Sequence, residues 1–331
     1  LFFTTSFNIG IAIAAGALVA RALGAGDHVL ARQQASNALI WGGVFSALFA
    51  VVIWIYLSPL VSLLGASGRA HDLAVDYLQI IVPTLPLLLM GMAGGAILRA
   101  HGDARRAMMA TIAGGLVNAV LDPILIFGLN MELTGAALAS AASRVAVAVF
   151  ALGPIFRHHG GLERPPLSLF IAGLAPIFAI SFPAILTQLA TPVGQAFVTR
   201  AMAEFGEDAV AGMAIIARMS PLAFGTIFAL SGAVGPIVGQ NYGAGNFARV
   251  RRAFWDALLF TGIFVAVMTA ILFALRTHVA ALFDADGTAL TLIYLFCGPL
   301  ALAFFFNGAI FVANASFNNL GRPFNSTWLN W

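Results

Sequence analysis

Apolar residues run along this chain in long blocks, parted by short clusters of Gly, Pro and charge. The blocks lie near residues 2–20, 36–64, 73–98, 107–129, 133–156, 169–199, 209–239, 253–275 and 289–314, and a tenth run begins at Phe324. Five stretches carry no Asp, Glu, Lys or Arg: residues 33–68, 77–98, 165–199, 219–248 and 287–321. Each reaches the roughly 20 residues that a helix needs to cross the hydrocarbon core. The pattern predicts an all-α polytopic membrane protein with nine spanning helices and part of a tenth. Leu1 is not an initiator Met and Trp331 follows closely on the start of a new apolar run, so the chain reads as a fragment cut at both ends.

Composition sharpens this and removes several function classes. Hydrophobic residues make up 61% of the 331 and charged residues only 9%, against roughly a quarter charged in a soluble domain. All 16 basic residues are Arg. Without a Lys the chain has no Walker A phosphate loop and no amine for a retinal or pyridoxal Schiff base. The single Cys297 supports neither a disulfide framework nor a thiolate metal cluster, and the scattered His form no HExxH pattern. Neither cofactor nor metal is expected. The formal charge of +3 is explained by loop arginines rather than by a nucleic-acid partner.

Those arginines set an orientation. One alternate set of loops holds Arg21, Arg32, Arg99, Arg105, Arg106, Arg157, Arg164, Arg249, Arg251, Arg252 and Arg322, while the other holds only Arg69, Arg200 and Arg276. Short cytoplasmic loops collect Arg, which places the first set, with its two GAG turns, in the cytoplasm and the protein in the cell (inner) membrane. Arg144 and Arg218 lie inside apolar blocks, where snorkelling or pairing is expected rather than drug binding.

An internal repeat runs through the chain. VARALGAGDHVLARQQASNAL at residues 19–39 matches VGQNYGAGNFARVRRAFWDAL at 238–258, so that Gly24, Ala25 and Gly26 meet Gly243, Ala244 and Gly245 at an offset of 219. Gly102 and Gly321 recur at the same spacing. Both copies fall on the same side of the membrane, so the repeat is parallel, as in transporters with two like-oriented halves. It predicts two like-oriented six-helix lobes in the intact protein, divided here into residues 1–160 and 161–331.

The segments GQNYGAGN (239–246), ARALGAGD (20–27), VNAVLDPILIFG (117–128), SFPAILTQLATP (181–192) and AVAGMAIIARM (209–219) together resemble the multidrug and toxic compound extrusion (MATE) transporters over essentially the whole chain. The resemblance implies two lobes facing each other across a cleft, and cation-coupled export of amphipathic, often cationic compounds by alternating access. By it the chain holds that family's helices two to ten and the start of eleven. A monomer is expected, with membrane lipid and a drug-like substrate as its partners.

Asp122 is the only acidic residue well inside an apolar block, and ionisable groups there are rare and usually functional. Asn118, four residues earlier, shares its helical face. A carboxylate beside an amide carbonyl offers hard oxygen ligands for Na+, or a site for H+. The structural alternative is that Asp122 caps a broken helix ahead of Pro123. In the family an Asn and Asp at this spacing form part of a cation site, which carries over to Asn118 and Asp122, and a hydroxyl ligand in the next helix falls at Ser140. The family's partner carboxylate for this lobe stands on a helix before Leu1.

Where another branch of the family has acidic residues in the second lobe, this chain has Thr187, Gln188, Gln195, Asn307 and Asn314. Amides line a substrate cleft or simply bond between helices, but carry no proton. The GAG turns, Gly24 to Gly26 and Gly243 to Gly245, read as helix caps or hinges. Pro83, Pro86, Pro176, Pro183, Pro192, Pro221, Pro236 and Pro299 read as possible kinks. Two other functions compete with drug antiport: a lipid-linked saccharide flippase of the same superfamily, which would line its cleft with more basic residues, and a non-transporting membrane protein or channel. An intramembrane enzyme would need a catalytic set, such as a second carboxylate facing Asp122.

Overall fold

The computed structural model describes residues 2–63, 65–163 and 165–331. Every regular element among them is helical. In chain order these are α1 (Phe2–Gly24), α2 (His28–Ile55), α3 (Leu57–Leu63), α4 (Gly68–Ile81), α5 (Leu85–Ala100), α6 (Ala104–Pro123) and α7 (Glu132–His158). They are followed by α8 (Leu167–Ala172), α9 (Leu174–Ala203), α10 (Glu207–Gly243), α11 (Phe247–Leu282), α12 (Gly287–Leu295), α13 (Ala301–Asn319) and α14 (Pro323–Asn330). Among the described residues nine helical stretches are long and apolar enough to cross a membrane, as the apolar blocks predict, and the short α14 follows them. The helices begin earlier than the blocks because their first turns are polar. α2 starts at His28 and carries Arg32, Gln33 and Gln34 ahead of its apolar run.

The duplication is visible bond by bond. At the end of α1, Gly26 stands at φ +77°, its N–H donates to Leu23 O and the Asp27 N–H to Ala22 O, both at 3.0 Å. At the end of α10, Gly245 stands at φ +70°, its N–H donates to Tyr242 O at 3.0 Å and the Asn246 N–H to Asn241 O at 2.8 Å. This is a Schellman cap, in which only glycine adopts the left-handed conformation cheaply. Asp27 then accepts from Leu30 N at 2.8 Å and Asn246 from Arg249 N at 3.2 Å, so one residue ends a helix and starts the next. Gly102 and Gly321 repeat the pattern at +79° and +76°, and Gly68 and Gly287, also 219 apart, open α4 and α12 at +56° and +50°.

The Gly102 turn holds a cluster of titratable groups. Asp103 caps α6, pairs with Arg106 at 2.6 Å and meets His159 Nε2 from the end of α7 at 2.9 Å, while the His101 ring stacks on His159 at 4.5 Å. Burial would raise the Asp103 carboxyl, but the hydrogen bonds from Arg106 and His159 outweigh it and hold its pKa at about 2. Its contribution to stability is therefore present above the ordinary value of 3.8 and is lost as pH falls through about 2.

The chain forms two compact units, Leu1–Ile185 and Leu186–Trp331. The boundary differs from residue 160, where the duplicated sequence divides, because the connecting segment packs on α2. Arg32 pairs with Glu163 at 2.9 Å, Asn37 donates to Leu169 O at 3.3 Å, and the Trp41 indole donates to Phe170 O at 3.0 Å while stacking on its ring. The first unit has an alanine core, including Ala14, Ala15, Ala17, Ala20, Ala31 and Ala93, and small residues let helix backbones approach closely. The second is built on rings, with Phe224 stacked on Phe304 at 4.1 Å and Phe296 edge-on to both.

Among the prolines, Pro83 and Pro299 mark interruptions. A 3₁₀ turn over Val82–Thr84 separates α4 from α5, and a π turn over Phe296–Leu300, with Gly298 at φ −123°, ψ −111°, separates α12 from α13. Pro86 lies at the start of α5, where its missing N–H is not needed. α10 runs on past Pro221 and Pro236, and α9 spans Pro176, Pro183 and Pro192.

At the first break the Leu85 N–H turns to Val82 O, which releases the Ile81 carbonyl. That oxygen accepts from Thr84 Oγ1 at 2.7 Å and from Arg144 Nη1 of α7 at 2.9 Å, and Arg144 also donates to Thr84 Oγ1 at 2.6 Å. Asn8, 1% exposed on α1, donates to Leu85 O at 3.4 Å and accepts from Ser46 Oγ of α2 at 3.1 Å. α1 and α7 thus supply the break with polar partners, Ser46 of α2 holds Asn8 in place, and Arg144 is a clamp on the break.

Two outcomes follow in thermal unfolding of detergent-solubilised protein. Arg144→Met should cost about 1.5–3 kcal/mol, the net worth of hydrogen bonds from a charged group, since Thr84 Oγ1 still donates to Ile81 O, with Arg144→Lys recovering part of it; an unchanged melting temperature would remove the clamp. Gly26→Ala and Gly245→Ala should each cost about 1–2 kcal/mol through backbone strain, since no atom lies within 4 Å of the added Cβ in either turn. Unequal or absent losses would break the equivalence of the two copies.

Candidate functional site

α6 carries its small buried residues in a stripe, Ala107, Ala110 and Gly114, with Met108, Ile112, Leu116 and Val120 exposed on the opposite side. Asn118 and Asp122 continue the stripe at four-residue steps, and both are half-buried. α7 runs antiparallel beside it. Ser143 Oγ donates to Gly114 O at 2.8 Å, and farther along Gly135 of α7 lies against the backbone of Leu125 and Ile126. This register sets half-buried Ser140 opposite Asn118 and about one helical turn from the level of Asp122.

The helix is not broken ahead of Asp122, and the capping alternative is corrected here. Asp122 stands in the last turn of α6, which runs through to Pro123 and passes into a π turn over Ile124–Gly128. No backbone N–H is capped by its carboxylate. Oδ1 is instead a buried oxygen without a hydrogen-bond partner among the described residues. Pro123 has no N–H to give Ala119 O, and the Ile124 N–H turns to Leu121 O. Backbone carbonyls are thereby loosened between Asn118 and Asp122, beside a carboxylate, an amide and a hydroxyl. Such a set of hard oxygens suits a small cation or a proton. A carboxylate near a helix C-terminus also faces the negative end of the helix dipole, which favours a bound positive charge.

The second-unit candidates divide. Asn314 is bonded to Asn330 by reciprocal amide contacts of 3.0 and 3.4 Å, and the buried Ser326 lies against Asn314 O and Asn318 Oδ1 at 3.4 and 3.5 Å. Thr187 Oγ1 lies 3.3 Å from Thr327 Oγ1. These residues bind helices together, the interhelical role. Gln188 is half-buried, while Gln195 and Asn307 are exposed. Gly24 and Gly243 are the last residues of their helices, and Gly26 and Gly245 hold the left-handed turn; Pro183 lies within α9. Sequence reasoning missed Asn330 and Ser326, although their spacing of four in the final run marks a polar helix face. It also missed Asn8 and Ser46, which come together only across helices.

The MatE family model matches residues 1–124 and 183–329. The chain is similar to the FAD transporter of Shewanella oneidensis, 27% identical over 98% of this chain and 74% of that protein, and to the multidrug export protein MepA of Staphylococcus aureus, 27% identical over 83% of this chain and 61% of MepA. Among solved structures, a mutant of the Vibrio cholerae MATE transporter VcmN shares the fold with a TM-score of 0.93 at 24% identity, over 98% of this chain and 74% of that one. A MOP superfamily transporter from Pyrococcus furiosus, described with a binding pocket of reverse polarity, gives 0.85 at 25% identity, over 99% and 74%. With the family model covering both its copies, this chain belongs to the MatE family.

Proposed function

We propose that the protein is a cation-coupled antiporter of the cell (inner) membrane, exporting an amphipathic compound by alternating access, with its arginine-rich GAG turns in the cytoplasm. The single observation that carries the reading is the buried Asp122 carboxylate oxygen, without a hydrogen-bond partner among the described residues, on the face of α6 that carries Asn118. Leaving a buried carboxylate oxygen unpaired is costly, and H+ or Na+ relieves that cost. In the ion-free state Asp122 is charged at the negative end of α6; in the occupied state the charge is neutralised, with Asn118 and Ser140 supplying oxygens. The two states differ most at the Pro123 and π-turn end of α6, so that is where ion occupancy is transmitted to the helix pair. Substrate leaves as the ion enters, and the second-unit Gln188, Gln195 and Asn307 remain candidate cleft groups.

A second substrate reading is favoured by one observation. Arg144 lies inside α7 with no carboxylate in ion-pair range among the described residues, and one relative transports FAD, an anionic dinucleotide. An aromatic anion is therefore the alternative cargo to a cationic drug. Vesicles loaded with a cationic dye or with a flavin dinucleotide separate the two, since only the true class should move against a cation gradient.

In the full-length protein Asp122→Asn should abolish substrate-driven cation uptake into vesicles while leaving expression and folding near wild type, because an amide of nearly equal volume cannot alternate in charge. Asn118→Ala should weaken apparent ion affinity several-fold with a smaller loss of maximal transport. Wild-type ion dependence in Asp122→Asn vesicles would reject the coupling role.

A further inference from the structure

The Gly102 turn carries more chemistry than its geometry demands. At the 219-residue offset His101 corresponds to Leu320, Asp103 to Arg322 and Arg106 to Asn325. Gly102 and Gly321 nonetheless adopt the same left-handed turn, and α14 begins after Arg322 without a side-chain cap. The turn therefore forms without an acid or an imidazole, and the cluster in the first copy calls for another reason. Its members come from three elements: His101 from the end of α5, Asp103 and Arg106 from the start of α6, and His159 from the end of α7.

Asp103 Oδ2 is the shared acceptor, 2.6 Å from Arg106 Nη1 and 2.9 Å from His159 Nε2, and only 12% of the Asp103 side chain and 17% of the His159 side chain are exposed. The carboxyl, held at about 2, is charged wherever an imidazole titrates, so His159 is the member of the pair that changes charge. A charge-assisted bond is roughly twice as strong as a neutral one. The His101 ring, 4.5 Å from that of His159, is pushed below its ordinary 6.5, first by burial and then by His159 and His28, against the opposing pull of its bond to Ile97 O and of Asp103. It is thereby kept neutral beside a charged partner. Among the described residues the other basic groups around the cluster are His28 and Arg32 of α2, Arg21, turned back to Ala17 O on α1, and Arg99, folded back toward Gly95 on α5. Arg105, Arg157 and His158 are exposed, and the remaining acids are Asp27, which caps α2, and Glu163, which Arg32 holds.

His159 stands at a swivel. Gly160 and Gly161 follow it at φ +76° and +74°, a conformation that glycine adopts at no steric cost, and the connecting segment begins beyond them. That segment is tied to α2 from Glu163 onward. We infer that His159 and Asp103 form a proton-binding site separate from Asp122, which fastens the near side of the swivel when His159 is charged and slackens it when His159 is neutral. The connecting segment is thus held more firmly as pH falls through the imidazole range, roughly 8 to 5, and the Asp103 charge on which this depends is lost only near 2. Under the orientation proposed above this face is cytoplasmic, so the site reports cytoplasmic acidity to the segment that follows α7. The compartment rests on that reading; the site itself does not.

The test is hydrogen–deuterium exchange of the full-length protein in lipid nanodiscs, which present both faces to one buffer. It is read at the end of α7, where the His159 and Gly161 N–H groups donate to Ile155 O at 3.2 and 3.0 Å. After correction for intrinsic exchange, protection there should be about tenfold higher at about pH 5 than at about pH 8, the margin of a charged over a neutral hydrogen bond. His159→Gln, which keeps a neutral donor, should show the lower protection at both pH values. Asp103→Asn keeps the cap on α6, since Asn caps as well as Asp, and should move the midpoint of the response down by about one pH unit. His101→Phe keeps a ring against His159 and should retain the response. A wild-type profile that is flat with pH, a response that survives in His159→Gln, an unmoved midpoint in Asp103→Asn, or a response lost in His101→Phe would overturn the site. An intact response is expected in Asp122→Asn, which keeps this site and the antiport reading separately testable; its loss would trace the pH effect to Asp122 and overturn the assignment.

Discussion

A chain that lives in a bilayer has no water to hydrogen-bond its backbone, so each N–H and C=O within the hydrocarbon needs a partner inside the protein. Most of this structure follows from that demand. The turns between spans shrink to three residues because Gly26 and Gly245 let one helix close its own carbonyls, while Asp27 and Asn246 supply the first acceptor of the next. Where proline breaks a span at Pro83, side chains from α1 and α7 join Thr84 of the break itself, and one of them is an arginine. Even the alanine core of the first unit serves the same end, since close backbone approach needs small side chains.

Five buried side-chain oxygens lack a hydrogen-bond partner among the described residues, those of Gln34, Asn37, Thr269, Asn319 and Asp122, and of these only that of Asp122 belongs to a carboxylate. Other buried polar side chains at helix contacts, Asn8, Ser46, Ser316 and Ser326, have found acceptors or donors. On the function proposed above, a carboxylate left open at the loosened, negative end of α6, on the face that carries Asn118, takes a mobile positive charge as its partner. The duplicated architecture supplies what such a site needs in a transporter: two units that share turn geometry bond for bond but differ in polar content. Asp122 lies in the first, and neutral amides take its place as candidates in the second.

Much of this was legible in the sequence because bilayer and duplication both write regular signals. Apolar blocks marked all nine spans, and the single offset of 219 anticipated matching caps at Gly26 and Gly245 and at Gly102 and Gly321. Asn118, Asp122 and Ser140 were readable through helical spacing and family resemblance, and the antiparallel register of α6 and α7 sets Ser140 opposite Asn118, about a turn from Asp122. The rest depended on contacts between residues distant in sequence. That Arg144 clamps Ile81 O, that residues 163 to 185 belong with the first unit, and that Asn314 is bonded to Asn330 follow from which helices touch, which no local pattern encodes. The cap at Asp122 failed as a reading because Pro123 suggested a helix start, whereas the helix absorbs it by widening into a π turn.

The central claim is that Asp122 changes its own charge state during the cycle. Infrared difference spectroscopy of the full-length protein in lipid, recorded as pH is stepped and as Na+ is added, observes side-chain carboxyls directly. The account predicts a carboxyl band that appears or shifts with one of these ions and is absent in Asp122→Asn. A difference spectrum that is the same in Asp122→Asn as in the wild type would contradict it.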